Sequence, residues 1–212
     1  MKRGFDTTAN CGPVAATIKQ ANYDFVARYY AHRGAKRLTQ SEAQALSVAG
    51  VELVAVWEDA PTHTGYFSRA RGVDDGTSAY HAAMLIGQPA GSAIYFAVDF
   101  DASQMAISGA ITDYFRGVAD GFDTMSANMA ALYKVGVYGS GATCSWLLNH
   151  GLAKYSWLAQ STGWAGYQSF TRWNIKQGKE TQELGMDIDG DVATDDAGGF
   201  LVAAIVPGVR PR

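Results

Sequence analysis

Apolar and polar positions along the chain fall into eight β-type runs, most of them separated by stretches with helical spacing. The runs cover residues 4–7, 25–31, 51–58, 93–101, 134–140, 155–161, 170–177 and 186–193. Run 93–101, Ala-Ile-Tyr-Phe-Ala-Val-Asp-Phe-Asp, is continuously apolar until it ends in two acids. Such a strand needs cover on both faces, as in a parallel sheet flanked by helices. Side chains alternate along a strand, so Asp99 and Asp101 are expected on one side together with Tyr95 and Ala97.

Between the runs, Pro13 suits the first position of a helix over 13–21. Thr39-Gln-Ser-Glu42 reads as a capping box opening a helix that Gly50 ends. Asp74 and Asp75 are expected to lead a helix to Gly87, and an apolar face of Ile107, Ile111, Tyr114, Phe115 and Val118 predicts a helix over 103–129. A further helix is expected over 141–150, and a closing segment over 199–206. Residues 59–75 read as a polar, Gly-rich loop, of a length that is often functional or mobile. Eight strands alternating with helices predict an α/β fold, a compact (β/α)8 TIM-like barrel. At 212 residues it is lean, so some helices should be reduced to loops, above all between strands six and eight. An open doubly-wound sheet is the second architecture.

The length fits one domain spanning 1–212. A net charge of -3 gives no basic footprint, which excludes a nucleic-acid binder. No apolar stretch approaches a membrane span and the start shows no signal-peptide core, so the chain reads as soluble and made in the cytosol; a monomer is expected. Export to the periplasm or beyond by a non-classical route stays open. Cys11 and Cys144 are too few for a disulfide framework and read as buried free thiols.

Composition at the strand ends points to chemistry. Strand exits carry Asp6, Glu58, Asp99 with Asp101, and Asp187 with Asp189 and Asp191; in a barrel these exits share one mouth. Taken singly, each acid reads as readily as a cap or solvated loop residue as it does as a site residue. Taken together, and with Tyr30, Trp57, Tyr138, Trp157 and Trp173, they have the composition of a carbohydrate site, where rings stack on sugars and paired acids work on the glycosidic bond. Crowding and burial raise one carboxyl pKa and keep a proton available. Other chemistries fit poorly. An EF-hand reading from Asp187 meets Val192 and Gly198 where Gly and Glu are required. His32, His63, His81 and His150 have no ligand spacing, and Ser140 lacks the Gly-x-Ser-x-Gly elbow. No Gly-rich phosphate loop follows the first strand. Neither metal nor cofactor is expected.

Gly4-Phe5-Asp6-Thr7, Arg28-Tyr29-Tyr30, Tyr95-Phe96-Ala97-Val98-Asp99-Phe100-Asp101, Gly136-Val137-Tyr138-Gly139-Ser140, Trp157-Leu158-Ala159, Gln177 and Asp187-Ile188-Asp189 carry a resemblance over nearly the whole chain. The chain resembles the glycoside-hydrolase-like family called domain of unknown function 1906, itself similar to the family 25 lysozymes. The resemblance implies a barrel and a muramidase-type site that cuts the glycan strand of peptidoglycan or a related amino-sugar polymer. By that likeness Asp6 matches the aspartate of the lysozymes' opening Gly-Ile-Asp, and Asp99 the first acid of their Asp-x-Glu. Asp189 matches the aspartate of their closing Val-Asp-x-Asn, with Asp191 in the asparagine's place. Asp101 stands where they carry the general-acid Glu and is one methylene shorter; a misplacement of about 1 Å can cost about a hundredfold in rate. The implied roles are Asp101 as general acid, Asp99 as its partner, Asp6 and Asp189 tuning pKa values and positioning, and Glu58, Tyr30, Tyr138, Trp157, Gln177 and Asp191 contacting substrate. A carbohydrate-binding domain that has lost catalysis, and a delivery module, are the alternatives.

Overall fold

The structure is a computed structural model in which residues 1–126 and 133–203 are described. Eight strands close a barrel in sequence order: β1 (Lys2–Asp6), β2 (Phe25–Tyr30), β3 (Glu52–Trp57), β4 (Ala93–Ala97), β5 (Lys134–Gly139), β6 (Tyr155–Leu158), β7 (Ile175–Glu183) and β8 (Met186–Ala193). The expected TIM-like closure is present, with one change of direction. Strands β1 to β7 run parallel, but β8 is antiparallel to both of its neighbours, β7 and β1. Only Leu184 and Gly185 link β7 to β8, both at positive φ (57° and 76°). Two residues in that conformation make a hairpin, whereas a parallel neighbour needs a crossover of a dozen residues or more.

Five of the crossovers carry helices: α1 (Ala15–Gln20), α2 (Gln40–Val48), α3 (Arg69–Ile86), α4 (Gln104–Ala106) continuing through a wide turn at Ile107–Ile111 into α5 (Thr112–Ser126), and α6 (Gly141–Asn149). As expected, no helix lies between β6 and β8. The helix predicted over 103–129 is described to Ser126; its residues 127–129, like 204–206 of the closing segment, lie outside the described residues. Among the described residues no helix is long and apolar enough to cross a membrane.

Three local expectations shift. Strand seven begins at Ile175 rather than 170, because residues 166–170 turn instead: the Phe170 amide bonds the Gly166 carbonyl at 3.0 Å, and Phe170 is buried. Helix α3 starts five residues before Asp74, since Ser68 caps it by accepting the Arg71 amide at 3.2 Å. The capping box at α2 is half formed. Thr39 Oγ1 accepts the Glu42 amide, but the Glu42 carboxylate turns inward to the buried Arg28.

Two apolar layers follow from strand alternation. Phe25, Ala27, Val54, Val56, Tyr95, Ala97, Trp157 and Ile175 fill the barrel, while the alternate residues pack outward against the helices. Both cysteines are free and buried in the outer layer. Helices α3 and α5 meet through glycines: a Cβ on Gly72 would lie 2.0 Å from the Tyr114 carbonyl oxygen, and one on Gly117 2.1 Å from that of Arg69. Residues 197–200 pack against the lower end of the barrel, with Phe200 exchanging backbone hydrogen bonds with Leu53 and the Gly198 carbonyl accepting the Ala93 amide at 2.9 Å.

Candidate active site at the barrel mouth

The parity of each strand decides which side chains reach the mouth. Asp6 ends β1 and Tyr29 lies on the inward side of β2, where its hydroxyl donates to Asp6 Oδ1 at 2.7 Å. Gln177 of β7 donates through Nε2 to Asp6 Oδ2 at 2.8 Å and accepts the Tyr138 hydroxyl of β5 at 2.9 Å. Trp157 of β6 donates its indole N–H to Asp191 Oδ1 at 3.0 Å. These residues stand around a cavity of about 180 Å3 lined by Asp6, Tyr29, Glu58, Asp99, Tyr138, Trp157, Gln177 and Asp189, with Val56 at its floor.

The reversed β8 changes how its acids arrive. They enter the barrel from the mouth rather than leave it: Asp189 sits opposite Asp6 at the rim, and Asp191 lies two residues deeper, opposite Gly4. Asp191 is buried below the cavity, with Oδ2 left without a hydrogen bond, and Asp189 Oδ1 is likewise buried and unbonded. Asp187 is exposed, and its carbonyl accepts the Thr7 hydroxyl at 2.7 Å.

Of the residues singled out from the sequence, Asp6, Glu58, Asp99, Tyr138, Trp157, Gln177 and Asp189 come together around one cavity, with Asp191 beneath it. Tyr30, Asp101, Trp57 and Trp173 are placed elsewhere. Tyr30 has the opposite parity to Tyr29; it packs in the outer layer and its hydroxyl donates to Gln88 Oε1 at 2.8 Å. Asp101 keeps the parity of Asp99, but β4 ends at Ala97 and alternation stops applying there. Its carboxylate is exposed and accepts the Ala165 amide at 2.9 Å, so it stands at the rim and not on the cavity wall. Trp57 and Trp173 also belong to the outer layer. Tyr29 is the polar lining residue absent from the sequence-based candidates, although the same alternation that places Phe25 and Ala27 inside would have found it.

The electrostatics are those of acids crowded into a low-dielectric site. Burial pushes the Asp6 carboxyl up to about 7, against the pull of its hydrogen bonds from Tyr29 and Gln177, with Asp189 and Glu58 adding repulsion. Burial also holds Asp191 well above the usual carboxylate range, and Asp6 raises it further. Asp99 is raised by burial and then by Glu58, with Lys36 opposing. Asp189 is raised by burial and by Glu180. Lys36 Nζ binds Glu58 Oε1 at 2.7 Å.

These shifts make stability depend on pH in a stated direction. Between the ordinary value of 3.8 and about 7, folded Asp6 keeps a proton that the unfolded chain gives up. The unfolded state then binds fewer protons, so stability falls as pH rises through that window. Asp6→Asn should flatten the fall and be more stable than wild type near pH 8. Thermal unfolding from about pH 5 to 8 measures this, and equal slopes for the two proteins would count against a raised Asp6.

The model of the Rv2525c-like, glycoside hydrolase-like domain matches residues 16–193, most of the chain and nearly all of the barrel. The chain belongs to this family. The protein YbfG of Bacillus subtilis (strain 168) is 35% identical over 153 residues, which are 67% of this chain. Those residues are 21% of YbfG, so the chain spans about a fifth of that relative's length. Among solved structures of the fold, the Tat-secreted Rv2525c of Mycobacterium tuberculosis, in complex with L-tartrate, superposes with a TM-score of 0.78 at 21% identity, covering 93% of this chain and 98% of that one. A muramidase from Trichobolus zukalii superposes with a TM-score of 0.56 at 12% identity, covering 92% and 95%. The family thus has a glycoside hydrolase-like barrel whose structural neighbours include muramidases.

Proposed function

We propose that the protein is a glycoside hydrolase acting on the amino-sugar strand of peptidoglycan. The observation that carries this reading is the convergence of Asp6, Glu58, Asp99 and Asp189 on one cavity walled by Tyr138 and Trp157. Four acids around one volume suit a reaction in which one carboxyl gives a proton to the leaving oxygen while others face positive charge developing at the sugar carbon. Asp99 is the proton donor in this scheme. It is half-buried, its pKa is raised, and among the described residues no protein group donates a hydrogen bond to its carboxylate, leaving it open to substrate. Asp6 is already held by two donors and Asp191 by one, which suits them to shape the field. The unbonded oxygen of Asp189 is an acceptor for a sugar hydroxyl or the acetamide N–H.

In the proposed step the bond from the anomeric carbon to the leaving oxygen breaks, that oxygen takes the Asp99 proton, and water supplies the hydroxyl of the new reducing end while its remaining proton restores the Asp99 carboxyl. The cavity, at about 180 Å3, is smaller than the ~300–1,000 Å3 typical of whole-ligand pockets. It accepts part of one ring while the polymer lies across the open mouth. The fold neighbours named as muramidases support the substrate class.

The test is incubation with purified peptidoglycan and mass spectrometry for new reducing ends. Muropeptide release is expected. Retained binding to peptidoglycan with no release would instead support a binding domain, a reading that the rim position of Asp101 favours.

A further inference from the structure

We propose that His32, Asp59 and Asp75, outside the cavity, form a binding site for a first-row divalent cation, Zn2+ or Mn2+. Each offers one ligand atom, and these atoms lie within 4.8 Å of one another. The three come from separate elements: His32 follows β2, Asp59 follows β3, and Asp75 lies inside α3. Their sequence separations match no ligand motif, so only the fold brings them together.

Asp75 supplies the observation that asks for a ligand. It is fully buried in the middle of a helix. Its Oδ2 accepts the hydroxyls of Tyr66 and Tyr114 at 2.6 and 2.8 Å, while Oδ1 is buried without a hydrogen bond. The cation beside it, Arg71 Nη1, is 4.0 Å away, too far to satisfy that oxygen. A buried carboxylate oxygen is costly without a compensating partner, and a metal ion is one of the partners that compensates it.

His32 is arranged as metal-bound histidines are. One ring nitrogen, Nδ1, contacts Asp59 Oδ2, and the other, Nε2, is 3.5 Å from Asp74 Oδ2. A ligating histidine commonly turns its second ring nitrogen to a carboxylate, which fixes the tautomer and the ring. The ring also stands edge-on to Trp57, with centroids 4.8 Å apart, and the His32 amide donates to Asp59 Oδ1 at 3.1 Å. Ligand atoms on a tetrahedral ion at ~2.1 Å are ~3.4 Å apart, so His32 Nδ1 and Asp59 Oδ2 would part from direct contact by roughly an ångström while atoms up to 4.8 Å apart draw in by a similar amount. The ion would sit between His32 and Asp59 in place of their direct contact. One imidazole with two carboxylates suits Zn2+ or Mn2+ better than Ca2+, which takes oxygen ligands.

The position gives the ion a structural consequence. Asp59 is next to Glu58, and the loop after it brings the Pro61 carbonyl to the Asp99 amide at 2.9 Å. A cation there would tie β2, β3 and α3 together behind the wall that presents Glu58 and Asp99.

The test is calorimetric titration of the chelator-treated full chain with ZnCl2 and MnCl2, CaCl2 serving as a comparison, and thermal unfolding with and without each ion. One equivalent of Zn2+ or Mn2+ should bind and raise the Tm, and chelator should reverse it. Because Asp75 variants can fail to fold, His32→Gln and Asp59→Asn, both at partly exposed positions, are the primary probes; each should weaken binding by about tenfold or more with an unchanged circular dichroism spectrum. His63→Gln should leave affinity unaltered. Absence of binding by both ions, or equal affinity in His32→Gln and Asp59→Asn, would overturn the site.

Discussion

Asp99→Asn is expected to abolish measurable release of reducing ends from peptidoglycan while leaving the barrel folded. A positioned general acid contributes about 10²–10⁴ in rate, and an amide cannot supply the proton. The side chain is half-buried and makes no protein hydrogen bond among the described residues, so the isosteric change disturbs little else. Asp101→Asn separates this role from that of its neighbour. Asp101 lies at the rim with its carboxylate on the Ala165 amide, and an asparagine oxygen can accept the same bond. Its loss should therefore be small, a few-fold at most. The opposite ranking, with Asp99→Asn active and Asp101→Asn inactive, would move the proton donor to Asp101 and require the loop carrying Ala165 to let it go.

Much of this site could be read from the sequence because strand alternation is a strict rule as long as the strand lasts. It placed Asp99 on the side of Tyr95 and Ala97 although β4 ends two residues earlier, because the Val98 amide still bonds the Tyr138 carbonyl at 2.8 Å and carries the β5 ladder past Ala97. It misled at Asp101, where the backbone has left the sheet and a loop amide 64 residues away decides the direction. Tyr30 shows the complementary failure: an aromatic next to a strand end looked suited to sugar, but its parity sends it outward to Gln88. The direction of β8 was hidden for another reason. Acid content does not depend on strand polarity, and only the two-residue turn at Leu184-Gly185 carries that information. The lean helical shell followed from length, whereas the start of α3 did not, because Ser68 is a less conspicuous cap than the paired aspartates six residues on.

Glu42→Ala should cost about 3–5 kcal/mol of stability, the range for removing one partner of a buried ion pair. Arg28 is fully buried and Glu42 nearly so. Arg28 Nε binds Glu42 Oε1 at 2.6 Å and Nη2 approaches Oε2 at 3.3 Å, while the same Oε1 accepts the Cys11 amide at 2.8 Å. Alanine would leave a guanidinium and a backbone N–H buried without their acceptor. For a domain of this size that corresponds to a Tm lower by roughly 6–20 °C. A drop of only a degree or two would mean that water reaches Arg28 and that the pair is not sealed. The same substitution also reaches the mouth: Arg28 Nη1 donates to the Thr7 carbonyl, next to Asp6. Freed from Glu42, the guanidinium loses the anchor that sets this bond, so the folded fraction of Glu42→Ala should show a lower kcat as well as a lower Tm. The pair that holds α2 to the barrel thereby also sets where the first acid of the site stands.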